Sequence, residues 1–242
     1  MPDIIFRSDV TVELVRSSAH DSDVLFAARV STQGEQTLEA SKGDPAATDA
    51  RDRGLINYLM RDRHGSPFEH NSMTFYVEAP IFVFREFMRH RIASYNEESG
   101  RYRELRPVFY VPGPERNLVQ TGKPGAYDFV AGTPEQTDLT VEATKAACTF
   151  AYEQYERMLA AGVAREVARG VLPVATFSSM YVTMNSRSLM NFLSLRTKRD
   201  GTHFPSFPQR EIEMVAEKME AFWAGLMPMT YESFNLNGRV AP

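Results

Sequence analysis

Cysteine is almost absent from this chain of 242 residues: Cys148 is the only one. One thiol excludes an intramolecular disulfide framework and any multi-cysteine metal site. Lysine is scarce too, 5 residues against 22 arginines. No apolar run approaches the roughly 20 residues that cross a bilayer. The opening Met1-Pro2-Asp3-Ile4-Ile5-Phe6-Arg7 lacks the long apolar stretch of a secretory signal. A soluble, cytoplasmic protein without membrane contact is the expectation. Net charge is −4, which argues against a general nucleic-acid binder with its basic footprint. Hydrophobic content of 43% and charged content of 24% are those of an ordinary globular protein, long enough to bury a sizeable core.

Codon usage is the plain explanation for an arginine excess as a whole. It does not explain the crowding of Arg85, Arg89, Arg91, Arg101, Arg103 and Arg106 in one segment. Guanidinium forks bind phosphate and carboxylate bidentately, so a local cluster in an acidic chain points to a small anionic ligand. At its centre runs Arg89-His90-Arg91-Ile92-Ala93-Ser94-Tyr95-Asn96-Glu97-Glu98-Ser99-Gly100-Arg101. By charge alone this reads equally well as an exposed, salt-bridged helix end, with Glu86, Glu97, Glu98 and Glu104 as partners. The Ser99-Gly100-Arg101 ending tilts it toward phosphate, offering a hydroxyl, a close backbone approach and a fork.

Periodicity sketches the frame. Helices are predicted at 21–30, 51–63, 81–91, 138–161, 164–172, 186–196 (capped by Asn185) and 209–226. Met73, Phe75, Val77 and Ala79 alternate with polar neighbours as in a strand, and Val108 to Val111 read as another. Residues 32–49, 94–101 and the Pro- and Gly-rich 112–138 read as loops. With no repeat and no linker, the expectation is one α+β domain over 1–242, a central and mainly antiparallel sheet packed by helices.

Three further groups carry chemistry. His64-Gly65-Ser66-Pro67-Phe68-Glu69-His70 hints at a metal, but histidines six apart across a proline lack the i, i+4 spacing of helical ligands, so none is expected. Arg165 and Arg169 lie one helical turn apart before Leu172-Pro173. Asn185 to Arg196 is amphipathic, with Leu189, Phe192 and Leu193 on an apolar face and Arg187 and Asn191 on a polar one.

The pattern R-H-R-x-x-S-x-N-E-x-S-x-R closely resembles the signature of the flavin-dependent thymidylate synthases. The resemblance runs from about Ala27 to the last predicted helix, and includes H-x-[ST]-P-F-E-H at His64 to His70 and R-x-x-L-P at Arg169 to Pro173. It implies an enzyme that converts dUMP to dTMP with FAD as cofactor, methylenetetrahydrofolate as one-carbon donor and NADPH as reductant. It implies a homotetramer whose sites are shared between subunits. FAD contacts would fall to His64, Ser66, Arg89, His90, Arg91, Glu97, Asn185, Ser186, Arg187 and Asn191. The nucleotide would be held by Glu86, Phe87, Met88, Arg89, Glu97, Glu98, Ser99, Gly100, Arg101, Arg169 and Arg196. Arg169 would meet the phosphate, and Arg196 would be the catalytic group on the uracil, favouring its ionised form. The family often carries Gln where Glu86 stands. The 197–208 segment is longer than usual, leaving His203 as the one candidate for a further flavin-contacting histidine. The lone cysteine fits this reading, because Cys148 sits in an apolar helical stripe and lacks the activated environment of a nucleophile. The reading from another class is a non-catalytic nucleotide- or RNA-binding module built on the arginine-rich loop.

Overall fold

The computed structural model describes residues 3–37, 50–124 and 126–242. Among them the chain is α+β, with eight α-helices and eight strands. In order these are β1 (Ile5–Arg7), β2 (Thr11–Ser18), α1 (Asp21–Gln33), α2 (Ala50–Arg61), a 3-10 turn (Ser66–Glu69), β3 (Ser72–Pro80), α3 (Ile81–Phe87), β4 (Ser94–Glu97) and β5 (Val108–Tyr110). There follow β6 (Val119–Lys123), β7 (Ala126–Val130), α4 (Pro134–Ala160), α5 (Arg165–Ala168), a second 3-10 turn (Arg169–Val171), β8 (Phe177–Met184), α6 (Ser186–Arg196), α7 (Arg210–Leu226) and α8 (Pro228–Leu236). Four strands form one sheet in the order β2-β3-β8-β4. Pairing elsewhere has both senses: β1 runs parallel to β5, and β6 antiparallel to β7. No helix among the described residues is long and apolar enough to cross a membrane.

The chain divides into two compact units. One comprises residues 1–11, 77–89 and 96–180, the other 12–76, 90–95 and 181–242. In the first, the predicted stripe of α4 is buried through Cys148, Tyr152 and Tyr155, which pack with Phe109 and Ala168. Phenolic groups do double duty there: the Tyr155 hydroxyl accepts from the Leu105 amide at 3.2 Å and Tyr152 donates to the Leu105 carbonyl at 3.2 Å. Thr133 caps α4, accepting from the Gln136 amide while the Gln136 side chain accepts from the Thr133 amide. In the second unit, Trp223 of α7 is fully buried, edge-on to Tyr231 and Phe234 of α8. Buried Asp21 accepts from the Met229 and Thr230 amides at 2.9 Å each, satisfying orphan donors at the start of α8.

Several predicted boundaries shift for local reasons. α1 continues past Thr32 until Gly34, at φ 54°, turns the chain; the rest of that expected loop, from 38 to 49, lies outside the described residues. α3 ends at Phe87 rather than near Arg91, because the Arg89 amide bonds to the Glu86 carbonyl in a tight final turn. Arg89-His90-Arg91 therefore lies just beyond the helix. Ser94 to Glu97, expected as loop, is edge strand β4, paired on β8. The 112–138 excursion holds the hairpin β6–β7, with Lys123 opposite Ala126, and α4 already begins at Pro134. α8, at Pro228–Leu236, lies beyond the last predicted helix.

Candidate functional site

Predicted site residues gather at two places, one in each unit. In the first, Gly100 packs under Arg169: a Cβ at position 100 would lie 3.2 Å from Arg169 Cδ and 3.0 Å from Leu105 Cδ1. A side chain here would push on both neighbours by a few tenths of an ångström, so glycine gives room rather than an unusual φ. Arg169 opens the 3-10 turn after α5, and Leu172-Pro173 ends it. Glu97, Glu98, Gly100 and Arg169 line a pocket of about 330 Å³ together with Arg85 and Ser178. Four of the residues assigned to the nucleotide thus share one cavity.

Arg85 belongs to the arginine cluster but has no counterpart among the assigned contacts, and Ser178 is new to the site. Ser178 carries no motif, but its buried hydroxyl donates to Glu97 Oε1 at 2.7 Å and fixes that carboxylate. Its one signal in the sequence is the strand alternation of β8. Burial pushes the Glu97 carboxyl above its ordinary range; the Ser178 hydroxyl pulls back, neighbouring Glu98 adds to the rise and Arg169 opposes it. Glu98 accepts from the Ser179 amide at 3.1 Å and faces Arg103 at 3.5 Å. Arg101 reaches Glu166 at 2.8 Å, both half-exposed, and Arg165 reaches Glu104 at 3.4 Å. Ser99 turns the loop, its hydroxyl accepting from the Arg101 amide at 3.3 Å. Glu86 is partly buried, Met88 is exposed, and Phe87 is fully buried, leaving its main chain rather than its ring to meet a ligand. Arg89 is exposed.

In the second unit Arg196, the last residue of α6, donates from Nε to His90 Nε2 at 3.1 Å. The His90 ring stands edge-on to Phe192 at 4.9 Å. Burial, and then the Arg196 charge, lower its pKa to about 4, so the imidazole is neutral near pH 7 and acts as acceptor. The main chain of His90 is held as well, its carbonyl accepting from the Tyr95 hydroxyl at 2.7 Å. Arg91 is exposed beside it.

Nearby in sequence to α6, Asn185 caps the helix, accepting from the Ser188 amide at 2.9 Å. Ser186 is buried against Trp223 and Met227. Arg187 donates to the Pro242 carbonyl at 2.6 Å and to Glu69 at 2.7 Å. A Cβ at Gly65 would come within 2.5 Å of that guanidinium, so glycine permits the contact. His64 stacks on Tyr58 with ring centroids 5.5 Å apart, and Ser66 and Asn191 are exposed. Exposed cations, a flat exposed ring and amide donors suit a large planar ligand carrying phosphate, as a flavin nucleotide is. His203 is tied by its amide to the Gly238 carbonyl at 2.8 Å. Among the described residues, no group of three or more His, Cys, Asp or Glu could hold a metal ion.

Residues 13–229 match the family described as Thymidylate synthase complementing protein. A flavin-dependent thymidylate synthase of Streptomyces avermitilis is 70% identical, over 98% of this chain and 95% of that protein. One from Streptomyces coelicolor is 68% identical, over 100% of this chain and 97% of its own. Among solved structures, a UMP/dUMP methylase, PolB from Streptomyces cacaoi, bound with 5-Br UMP, superposes with a TM-score of 0.91 at 54% identity, covering 100% of both chains.

Proposed function

From the premise that the chain belongs to the flavin-dependent thymidylate synthase family, we propose how its residues divide the work of turning dUMP into dTMP. The enzyme is a methyltransferase acting on dUMP, and its cofactor is a flavin. FAD is the form proposed, with NADPH as reductant and methylenetetrahydrofolate as one-carbon donor. Held by Arg89, Arg91, His64 and the polar face of α6, the flavin would supply the hydride that completes the methyl group.

The protein's share is positioning and electrostatics. Arg169, with Arg101, Ser99 and Gly100, takes the phosphate. The pocket that Gly100 and Arg169 line with Glu97 and Glu98 is the observation that carries their part of this assignment, and Ser99 and Arg101 follow from the motif. Arg196 lies on the uracil, where a fixed cation favours negative charge on the ring without itself giving up a proton. A neutral His90 holds that guanidinium without cancelling its charge. Arg89, Arg91, His64 and the polar face of α6 face the cofactor. No residue of the chain need add to C6 of the uracil. Cys148 is buried, and burial pushes its thiol pKa up, away from the thiolate. The whole chain acts as one catalytic domain, in the cytoplasm, as a homotetramer whose subunits complete one another's sites. The family match from 13 to 229 draws on residues of both compact units, which supports the single-domain reading.

The purified protein is expected to be yellow, to be bleached by NADPH, and to release tritium from dUMP labelled at C5. A colourless protein that refuses added FAD and binds polynucleotides with a steep salt dependence would overturn the assignment.

A further inference from the structure

We propose that Gly238 and Arg239 form a clamp that positions Arg196, making Arg239 a positioning residue for catalysis. The inference rests on the role of Arg196 argued above. Everything it uses lies in the second unit.

Arg196 ends α6, and the next residue, Thr197, is 1% exposed. The Thr197 hydroxyl donates back to the Leu193 carbonyl at 2.7 Å and accepts from Arg239 Nη2 at 3.0 Å. Arg239 is thus one hydrogen bond from the residue that terminates the helix carrying Arg196. Its guanidinium also meets Glu220 at 2.7 Å and Asn235 at 2.5 Å, and stacks over Phe234 at 4.9 Å. The neighbouring Gly238 carbonyl accepts from the His203 amide at 2.8 Å, tethering the segment that follows Arg196 at a second point. Gly238 has φ 71°, and a Cβ there would fall 3.0 Å from His203 Cβ, so any other residue would be strained in this approach.

Stability alone is a poor reason for such a group. Arg239 is 4% exposed, sits at φ 57° without being glycine, and its Nε is buried with no hydrogen-bond partner. Each feature carries a cost. Buried ion pairs are often replaceable by well-packed apolar side chains at no loss of stability. What an apolar side chain would not supply is the directed bond to Thr197. A displacement of about 1 Å at a reacting group can cost on the order of a hundredfold in rate, so a fixed helix end matters where Arg196 begins.

The test uses the flavin-loaded enzyme with Arg239→Met, Arg239→Lys and, independently, Gly238→Ala. The expected result for Arg239→Met and Gly238→Ala is a fall in kcat of about tenfold or more, with flavin affinity and dUMP Kd within about twofold of the unaltered protein. Arg239→Lys, which retains a donor, is expected to recover part of the loss. Combined with Arg196→Ala, Arg239→Met should add nothing further, as for two residues acting through one group. Apart from activity, the His90 titration followed by NMR should rise in Arg239→Met as the Arg196 contact loosens. If Arg239→Met lowers the melting temperature but leaves kcat and the His90 titration unmoved, or multiplies the defect of Arg196→Ala, the clamp is structural and the proposal fails. If Arg196→Ala itself leaves turnover intact, it is the role of Arg196 that falls.

Discussion

In the first unit carboxylates answer the arginines: Arg101 meets Glu166, Arg103 meets Glu98, and Arg7 and Arg106 share Glu78. In the second, carboxylates hold Arg187 and Arg239 in the same way, but Arg196 gives its Nε–H to the uncharged ring of His90. The same side chain is thus prepared for two tasks. Exposed pairs such as Arg101–Glu166 are worth about 0–1 kcal/mol, so a phosphate can displace the carboxylate at little cost and depart again. The His90 contact orients Arg196 without itself opposing its charge. An arrangement of that kind suits charge that develops during reaction rather than charge already present in the ligand.

The comparison breaks most visibly at Arg196. Arg196→Ala should lower kcat for dTMP formation by roughly 10²–10³-fold, with the flavin retained and the Kd for dUMP little changed. Steady-state kinetics beside a visible spectrum read both. A loss appearing wholly in dUMP affinity would put Arg196 in the same class as the pocket arginines. A smaller effect, of the opposite type, is expected at Arg169. Arg169→Ala removes charge-assisted bonds to phosphate worth about 1.5–3 kcal/mol, so dUMP should bind roughly 10–100-fold more weakly. Turnover at saturating dUMP should hold within a few-fold. Calorimetric titration with dUMP checks the affinity, and an unchanged Kd would remove Arg169 from the phosphate.

Much of this contrast was legible in the sequence, for particular reasons. The cap at Asn185 and the apolar spacing of Leu189, Phe192 and Leu193 set α6 at Ser186–Arg196 as expected. Strand alternation from Met73 to Ala79 was equally readable, since those four side chains are fully buried. What escaped depends on partners distant in the chain. Ser94 to Glu97 has no strand composition of its own; it extends because β8 offers an edge, and Ser178 then fixes Glu97 across 81 residues. The hairpin at 119–130 was hidden by glycines and prolines that mark its turn as readily as they mark a loop. The His90–Arg196 bond joins residues 106 apart. The motif resemblance had put both at the site, without the contact, and no local pattern announces that the imidazole is neutral.

The gentlest change probes the difference at its narrowest point. Glu166→Gln leaves the shape of the Arg101 partner but removes its charge. Both side chains are 54% exposed, so stability should move by less than about 0.5 kcal/mol. If Glu166 competes with the phosphate for Arg101, dUMP should bind about two- to threefold more tightly, with the gain shrinking as salt is raised. Equilibrium titrations at low and high ionic strength resolve an effect of that size. Weaker binding would mean that Glu166 steadies Arg101 for the ligand, as His90 steadies Arg196. The two regions would then differ only in the charge of the steadying group, and not in whether the arginine must leave its partner before it can act.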